Sequence, residues 1–412
     1  MSKTVLVNTV SGAVERLTFR QIAFVIFSLA LVIRLAYVLT IPNEIRPLDY
    51  DGHVYDLIAR NIVDGKGFNY DTGVNQSWRP PLYPLFLALN YLLFGQNYIA
   101  VRVVQALLGA STCVVAFLIA RDYLGKGTGI IASLIVALYP GLVYFTGLLV
   151  TETLFILLVV SATLFLLRFL KTWSLRDGGA TGILLGLSAL CRPQVLAFVP
   201  FLFVVLFLAS KTRKPAIANF IPVFLVILAI ILPWTLRNYA VHGEFVLIST
   251  NGGYNFYVGN NPEATGRLTK PYFSSQQQAL RDELTEAKID TEYYKWGLDY
   301  IRGNPLASLK MAAKKVGILW FEPTIGKLRL GEWLFVLVAA AGLVRSFSIW
   351  RRYVPLYAMI LALSLPPLLY FAEGRFRLPM VPFLAIFAAY GIAWMLRMMN
   401  RRLNGATSAV AQ

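Results

Sequence analysis

Long apolar runs, separated by short polar connections, recur from one end of the chain to the other. An α-helix needs about 20 apolar residues to cross a bilayer. Runs over about 21–41, 98–120, 128–146, 152–170, 179–191, 194–210, 216–236, 331–346, 353–371 and 376–396 meet or approach that length. The pattern predicts an all-α polytopic membrane protein, a bundle of about ten transmembrane helices. A membrane β-barrel would show short alternating segments instead. The first run lacks a small-residue cleavage site and reads as a retained span rather than a leader.

Two stretches interrupt the pattern. In the loop 42–96, residues Val54, Tyr55, Leu57, Ile58 and Ile62 recur at helical spacing, predicting a helix over 50–63 ended by Gly65-Lys66-Gly67. The run 82–94 is short and proline-marked, and reads as a helix lying at the membrane interface, with Trp78, Tyr83 and Tyr91 at headgroup level. The second interruption, 237–330, starts with a strand-like run, Phe245–Ser249, and turn signals at Asn251-Gly252-Gly253-Tyr254 and Gly259–Pro262. A charged helical part over about 275–302 and a surface-lying part over about 305–320 follow. These features predict a small extracytoplasmic α/β insertion. The chain thus divides into an N-terminal module 1–236, with 42–96 as its first outer loop, the region 237–330, and C-terminal helices with a tail, 331–412.

Charge sets the orientation. Of 412 residues, 57% are hydrophobic and 14% charged, with a net charge of +17; a soluble domain carries about a quarter charged residues. Lys and Arg collect on cytoplasmic loops, and Arg121, Lys126, Arg168, Lys171, Arg176, Lys211–Lys214, Arg345, Arg351, Arg352 and the C-terminal arginines mark one side consistently. Ten spans then place both termini in the cytoplasm of a multi-pass plasma (inner) membrane protein. The opposite face gathers the 42–96 loop, Glu152, Arg192, Arg237, the 237–330 region and Glu373–Arg377. The basic residues are scattered between spans, which argues against nucleic acid. Cys113 and Cys191 lie in or beside apolar runs as packing residues. With only His53 and His242 present, a His-built metal site is excluded as a reading.

Carboxylates and arginines beside lipid, away from ATP and without a phosphate-binding P-loop, suit transfer from a lipid phosphate. A polyprenyl-phosphate sugar carries its own activation. The reaction needs a base for the acceptor proton and cations for the departing phosphate, and arginine meets phosphate oxygens in pairs. Asp49 and Asp51, at the membrane surface after the first span, are the candidate acids, Asp51 as base and Asp49 as helper. Each of these residues also has a bland reading. Asp49 or Asp51 caps the following helix; Glu152 caps the fourth span; Arg192 is an interface anchor; Arg375 and Arg377 are anchors or pair with Glu373. His53 is a partner of Asp51 or a solvated residue, and Arg34, inside the first span, is snorkelling or internally paired.

The order Asp49-Tyr50-Asp51, Tyr55, Ala59, Gly65, then Arg79-Pro80-Pro81-Leu82 resembles the GT-C glycosyltransferases, in the branch of the protein mannosyltransferases and the lipid A aminoarabinose transferase. Pro233–Asn238, Ser249–Asn255, Val258–Pro262 and Glu373–Pro379 are similar to a bacterial, polyprenyl-phosphate-sugar-dependent subgroup. The resemblance implies a GT-C-type bundle and an extracytoplasmic active site. It places the base on Asp51, a second acid on Asp49, and a further acid on Glu152 where the family often has Asp. It implies donor-phosphate contact by Arg79, with Arg237, Arg375 and Arg377 as further candidates and Tyr55 and His53 beside them. The implied partners are a polyprenyl-phosphate sugar donor, the bilayer, and an acceptor lipid, glycan or protein. No cofactor is required, although Asp49 and Asp51 are candidates to hold one divalent cation, Mg or Mn; two acids alone make an incomplete site. The lumenal domain of the eukaryotic mannosyltransferases has no counterpart here, which weakens protein O-mannosylation as the expectation.

Two other classes compete. A secondary transporter or flippase would place ionisable groups near the membrane midplane and show internal repeats; here most acids lie at span ends and no repeat is evident. A scaffold subunit would dock a partner synthase through the 237–330 region.

Overall fold

The computed structural model describes residues 17–45, 50–70, 76–210, 213–269, 284–326 and 329–410, and among them every regular element is helical. In chain order these are α1 (Phe19–Val38), α2 (Tyr50–Val63), α3 (Leu82–Phe94), α4 (Tyr98–Leu124), α5 (Lys126–Leu138), α6 (Pro140–Thr146), α7 (Glu152–Thr172) and α8 (Leu175–Cys191). Then come α9 (Phe198–Ser210), α10 (Arg213–His242), α11 (Gly252–Gly259), α12 (Glu286–Gly303), α13 (Pro305–Phe321), α14 (Arg329–Ser346), α15 (Val354–Leu369) and α16 (Val381–Val410). Short 3₁₀ segments over Pro193–Ala197, Phe347–Tyr353 and Gly374–Met380 join α8 to α9, α14 to α15 and α15 to α16.

Seven helical stretches are long and apolar enough to cross a membrane, or eight if the bent pair α5–α6 is one span. One of the seven, Arg329–Leu369, is 41 residues long. At 1.5 Å per residue it would reach about 60 Å, twice the hydrocarbon thickness of about 30 Å, and it is broken at Ile349, where the backbone leaves helical geometry. Ten passes follow only if the bent pair, both halves of 329–369 and the 17-residue α8 each count as one. The chain is a multi-pass membrane protein; the number of passes is bounded by these breaks.

Local chemistry sets several boundaries. Thr18 caps α1 through a capping box with Gln21, each side chain bonding the other's backbone N–H. Gly65 and Gly67 stop α2 in the left-handed region that favours glycine. Pro140 breaks α5 from α6 with a 51° bend, because proline has no N–H to give the carbonyl of Val136. The buried Arg34 fills that gap: Nη1 donates to the carbonyls of Ala30 and Ala137, at 3.2 and 3.3 Å, and Nη2 to that of Val136 at 3.5 Å. Arg34 is therefore internally paired, to backbone rather than to an acid. Its space depends on Gly109 of α4, where an added Cβ would lie 2.6 Å from Arg34 Nε.

Small residues let other helices approach. On α8, a Cβ at Gly182 would lie 2.8 Å from the Val223 carbonyl oxygen of α10. On α14, a Cβ at Gly342 would lie 1.8 Å from the Phe387 carbonyl oxygen of α16. Such close backbone contact is how helices gain dispersion energy where lipid offers no hydrophobic driving force.

The expected α/β insertion is corrected to an all-helical one among the described residues. Phe245–Ser249 is irregular, with bends at Leu247 and Ile248, and pairs with no strand among the described residues. Side chains of α10 take its carbonyls instead: Trp234 Nε1 donates to Ile248 at 2.8 Å, Thr235 Oγ1 to Leu247 at 2.8 Å, and Asn238 Nδ2 to Val246 and Ile248 at 3.1 Å each. The glycine- and asparagine-rich stretch expected to turn forms α11, whose second residue Gly253 donates its N–H to Asp290 Oδ1 of α12 at 2.6 Å. An acid at a helix N-terminus is favourable. The charged helix is present as α12; the first part of its expected range, 275–283, lies outside the described residues.

Gly342→Ala should force α14 off α16 and lower stability by about 1–3 kcal/mol. Gly331→Ala in the same helix, where an added Cβ meets nothing within 4 Å, should leave it unchanged. Thermal unfolding of the two variants in detergent compares them.

Candidate active site

Asp51 lies in the first turn of α2, at the start of the face that buries Val54, Tyr55, Ile58 and Ala59. The helix is pinned to α3 by Asp56, a buried acid that accepts a hydrogen bond from Tyr91 at 2.7 Å and pairs with Arg60 at 3.0 Å. This fixes where the Asp51 carboxylate points. One of its oxygens meets Arg79 Nη2 at 2.6 Å and the other meets Arg375 Nη1 at 3.2 Å.

Each guanidinium leads to a further partner. Arg375, in the 3₁₀ segment before α16, also donates through Nε to Glu373 at 2.5 Å and lies 4.0 Å from Glu152. Glu152, in the first turn of α7, pairs with Arg192 Nη1 at 2.9 Å. Arg192 lies against the rings of Phe155 and Phe376, at 5.8 and 5.5 Å. Arg79 lies over the Tyr55 ring at 5.3 Å, and Tyr55 meets Tyr83 edge-on at 5.1 Å. The result is one alternating cluster, three acids and three arginines, contributed by α2, the loop before α3, α7, the α8–α9 junction and the segment before α16. Residues more than 300 positions apart, Asp51 and Arg375, are in contact.

Glu152 is not a helix cap here: Thr151 precedes α7 with no capping hydrogen bond from its side chain, and the Glu152 carboxylate serves the cluster. Burial pushes the Asp51 carboxyl up, but the Arg79 and Arg375 charges and hydrogen bonds outweigh it and hold the group below the usual carboxylate range. Tyr55, buried next to these charges, is pushed up to about 12.

The other expected site residues lie differently. Arg237 does not join the cluster through any of its hydrogen bonds. Its Nη1 donates to the Gln76 carbonyl and to Ser77 Oγ, both at 2.8 Å, and its guanidinium stacks on Trp234 at 4.6 Å. It holds the loop that presents Arg79. That loop is also held by the Thr250 N–H on the Ser77 carbonyl at 2.9 Å, by the Ser77 N–H on Glu286, and by His242 at 2.8 Å from Ser77 Oγ. Arg377 is fully buried and donates to the carbonyls of Leu319, Trp320 and Glu322 and to Glu332 at 2.5 Å, so it closes the end of α13 against α14. His53 is exposed. Asp49 lies outside the described residues.

Among the described residues no three acidic, histidine or cysteine side chains gather as a metal site. Both Asp51 oxygens face guanidiniums, so the described donors alone do not fit a divalent cation. Reading the chain as a string had left Arg192 as an anchor and Glu373 only as a partner of Arg375. The signal that locates Arg192 is its position at the C-terminal end of α8, which follows α7 through a short connection and so brings that end level with Glu152.

Residues 78–236 match the family model described as dolichyl-phosphate-mannose-protein mannosyltransferase, a stretch that includes Arg79, Glu152 and Arg192. No curated protein matches the chain. Among solved structures, the apo oligosaccharyltransferase of Archaeoglobus fulgidus superposes with TM-score 0.60 at 14% identity, over 93% of this chain and 52% of that one. The oligosaccharyltransferase AglB of the same organism, in complex with an inhibitory peptide and a dolichol-phosphate, gives TM-score 0.59 at 15% identity, over 93% and 52%. ArnT from Cupriavidus metallidurans bound to undecaprenyl phosphate gives TM-score 0.43 at 15% identity, over 91% and 77%. The chain spans about half the length of the oligosaccharyltransferase structures it matches. It has the fold of the GT-C superfamily of integral-membrane glycosyltransferases, and over residues 78–236 it carries the sequence pattern of that superfamily's mannosyltransferase family.

Proposed function

We propose that this protein transfers a sugar from a polyprenyl-phosphate donor to an acceptor hydroxyl or amine on the extracytoplasmic face of the plasma membrane. The observation that carries the reading is the cluster itself: a carboxylate held by two arginines, with a second acid–arginine pair beside it. Arg79 and Arg375 neutralise Asp51 through its two oxygens. The donor's phosphodiester, with one negative charge, offers them forked contacts, and exchange of carboxylate for phosphate frees Asp51 beside the bound donor. The second charge develops as the phosphate leaves, where the arginines meet it.

Chemistry then follows from that exchange. The acceptor oxygen or nitrogen attacks the anomeric carbon as the bond from that carbon to the phosphate oxygen breaks. Asp51 takes the acceptor's proton, and polyprenyl phosphate leaves with its charge met by Arg79 and Arg375. With the guanidiniums turned to phosphate, burial is the larger influence left on Asp51, and it favours the protonated form, which is the direction a base needs. Glu152 and Arg192 hold Arg375 in register. Arg237 and Arg377, assigned by resemblance to the phosphate, act instead on the scaffold, and Tyr55 supports Arg79 from beneath. Asp49 and His53 flank the same helix start, and a divalent cation would have to draw on Asp49.

Mass spectrometry of envelope glycolipids and glycans from cells with and without the protein identifies the sugar and its acceptor. Substrate-dependent flux into proteoliposomes without any glycosidic product would replace transfer by transport. Asp51→Asn should extract and fold normally while losing transfer by about 10²–10⁴-fold, measured on the product so identified; unchanged turnover would remove Asp51 from the chemistry.

The pH dependence has a definite sign. In the free enzyme Asp51 is ionised to below the usual carboxylate range, so kcat/KM should hold as pH falls through that range. Arg79→Gln removes a charge that lowers the group and leaves burial opposing ionisation. The acid limb of kcat/KM should therefore move to higher pH in Arg79→Gln than in the parent.

A further inference from the structure

We infer that Arg102 and Gln105, one turn apart on α4, are positioning residues that hold the segments leading to Asp51 and to Glu152 in fixed register. The inference rests on the catalytic reading of those two acids.

Both residues are fully buried. Arg102 spends its guanidinium on three backbone carbonyls from two distant segments. Nη1 donates to Pro42 and Nη2 to Glu44, both at 2.6 Å, and Nε donates to Gly147 at 2.9 Å. Pro42 and Glu44 belong to the chain leading into α2; Gly147 belongs to the turn leading into α7. Gln105 repeats the arrangement one turn further. Its Nε2 donates to the carbonyls of Thr146 and Leu148, at 2.9 and 2.8 Å, and its Oε1 accepts from Tyr83 at 2.8 Å. Tyr83 meets Tyr55 edge-on, and Tyr55 carries Arg79 on its face.

Independent contacts lock the same junction. Asn43 Oδ1 accepts the Ile99 N–H of α4 at 3.1 Å. A Cβ at Gly147 would lie 2.4 Å from Ile41 Cδ1 and 2.8 Å from Tyr37 Cε1, so the turn is pressed against the end of α1. The carbonyls concerned belong to irregular backbone in a buried setting, where an unsatisfied group is costly. A single guanidinium reaching both segments makes their separation a property of α4 rather than of two flexible loops. These hydrogen bonds reach Asp51 and Glu152 through the backbone and through Tyr83. A misplacement of 1 Å in a reacting group costs about 10²-fold in rate.

The test places 3-fluorotyrosine at position 55 of the full chain in nanodiscs. The ¹⁹F shift of that ring reports the guanidinium above it, and Arg79→Gln supplies the reference for its removal. Arg102→Lys, which keeps the charge but cannot reach three carbonyls, and Gln105→Leu, which removes three hydrogen bonds without stranding a charge, are then compared. Each should move or broaden the ¹⁹F line toward the Arg79→Gln reference. Each should also lower glycan product in cells at least tenfold, while decaprenyl phosphate still binds within about threefold of the parent by calorimetry. An unmoved line in both folded variants overturns the inference. So does loss of product and of decaprenyl phosphate binding in step with loss of thermal stability, which marks a merely structural role. Gln105→Leu decides if Arg102→Lys does not fold. If the parent makes no glycosidic product, the transfer reading fails, and the ¹⁹F comparison still decides whether these residues set the register.

Discussion

Opposite charges sharing a poorly solvated space must neutralise one another, and this protein meets that constraint with a single chain of contacts. Arg79, Asp51, Arg375, Glu152 and Arg192 alternate in sign, with Glu373 branching from Arg375. Removing one partner of a buried pair leaves an uncompensated charge that costs about 3–5 kcal/mol. The cluster therefore binds together five segments that packing alone would hold less specifically. In the proposed reaction a phosphate enters the same arrangement, because an anion replaces a carboxylate without changing the sign of what the arginines face.

A second constraint runs alongside it. A membrane helix that bends or stops exposes carbonyls that have no water to bond. Here buried cations take up those carbonyls wherever the helices break near the cluster. Arg34 serves the break at Pro140, Arg102 the segments that lead into α2 and α7, and Arg377 the end of α13. Lys315 does the same at the end of α15, where Pro366 and Pro367 disturb the helix. Its Nζ lies 3.3 Å from the Leu368 carbonyl and 3.5 Å from Asn260 Oδ1, and burial pushes the amine down to about 8. Cations that resemble ligand-binding residues by type thus do structural work on both sides of the segment that carries Arg375.

Much of this was legible in the chain because its causes are local. Apolar length marks a multi-pass helical protein, with seven or eight stretches long enough to span where the pattern predicts about ten. Helical spacing marks α2, and a short apolar run marks α3, almost to the residue. Charge counted over loops groups Asp51, Arg79, Glu152 and Arg375 on one expected face, and these four do meet. What failed depends on partners that sequence does not display. Phe245–Ser249 is an apolar, β-branched run that reads like a short strand, yet its carbonyls are met by Trp234, Thr235 and Asn238 rather than by another strand. Gly253 and Gly259 look like turn residues, but they are glycine because Asp290 and Tyr370 backbone oxygens would lie 1.8 and 1.6 Å from a Cβ. Arg237 and Arg377 are expected on the same face as the cluster, and that expectation alone does not separate a guanidinium facing an acid from one spent on carbonyls. Arg102 and Gln105 sit inside an apolar run, where nothing in their spacing announces which backbone they reach.

The central claim is that Arg79 and Arg375 exchange Asp51 for a lipid phosphate. A cryo-EM map of the protein in nanodiscs with decaprenyl phosphate tests it directly. Phosphate density should lie within hydrogen-bond distance of Arg79 and Arg375, with the Asp51 carboxylate released toward the open side. Phosphate bound elsewhere, with both Asp51 ion pairs intact, would contradict it.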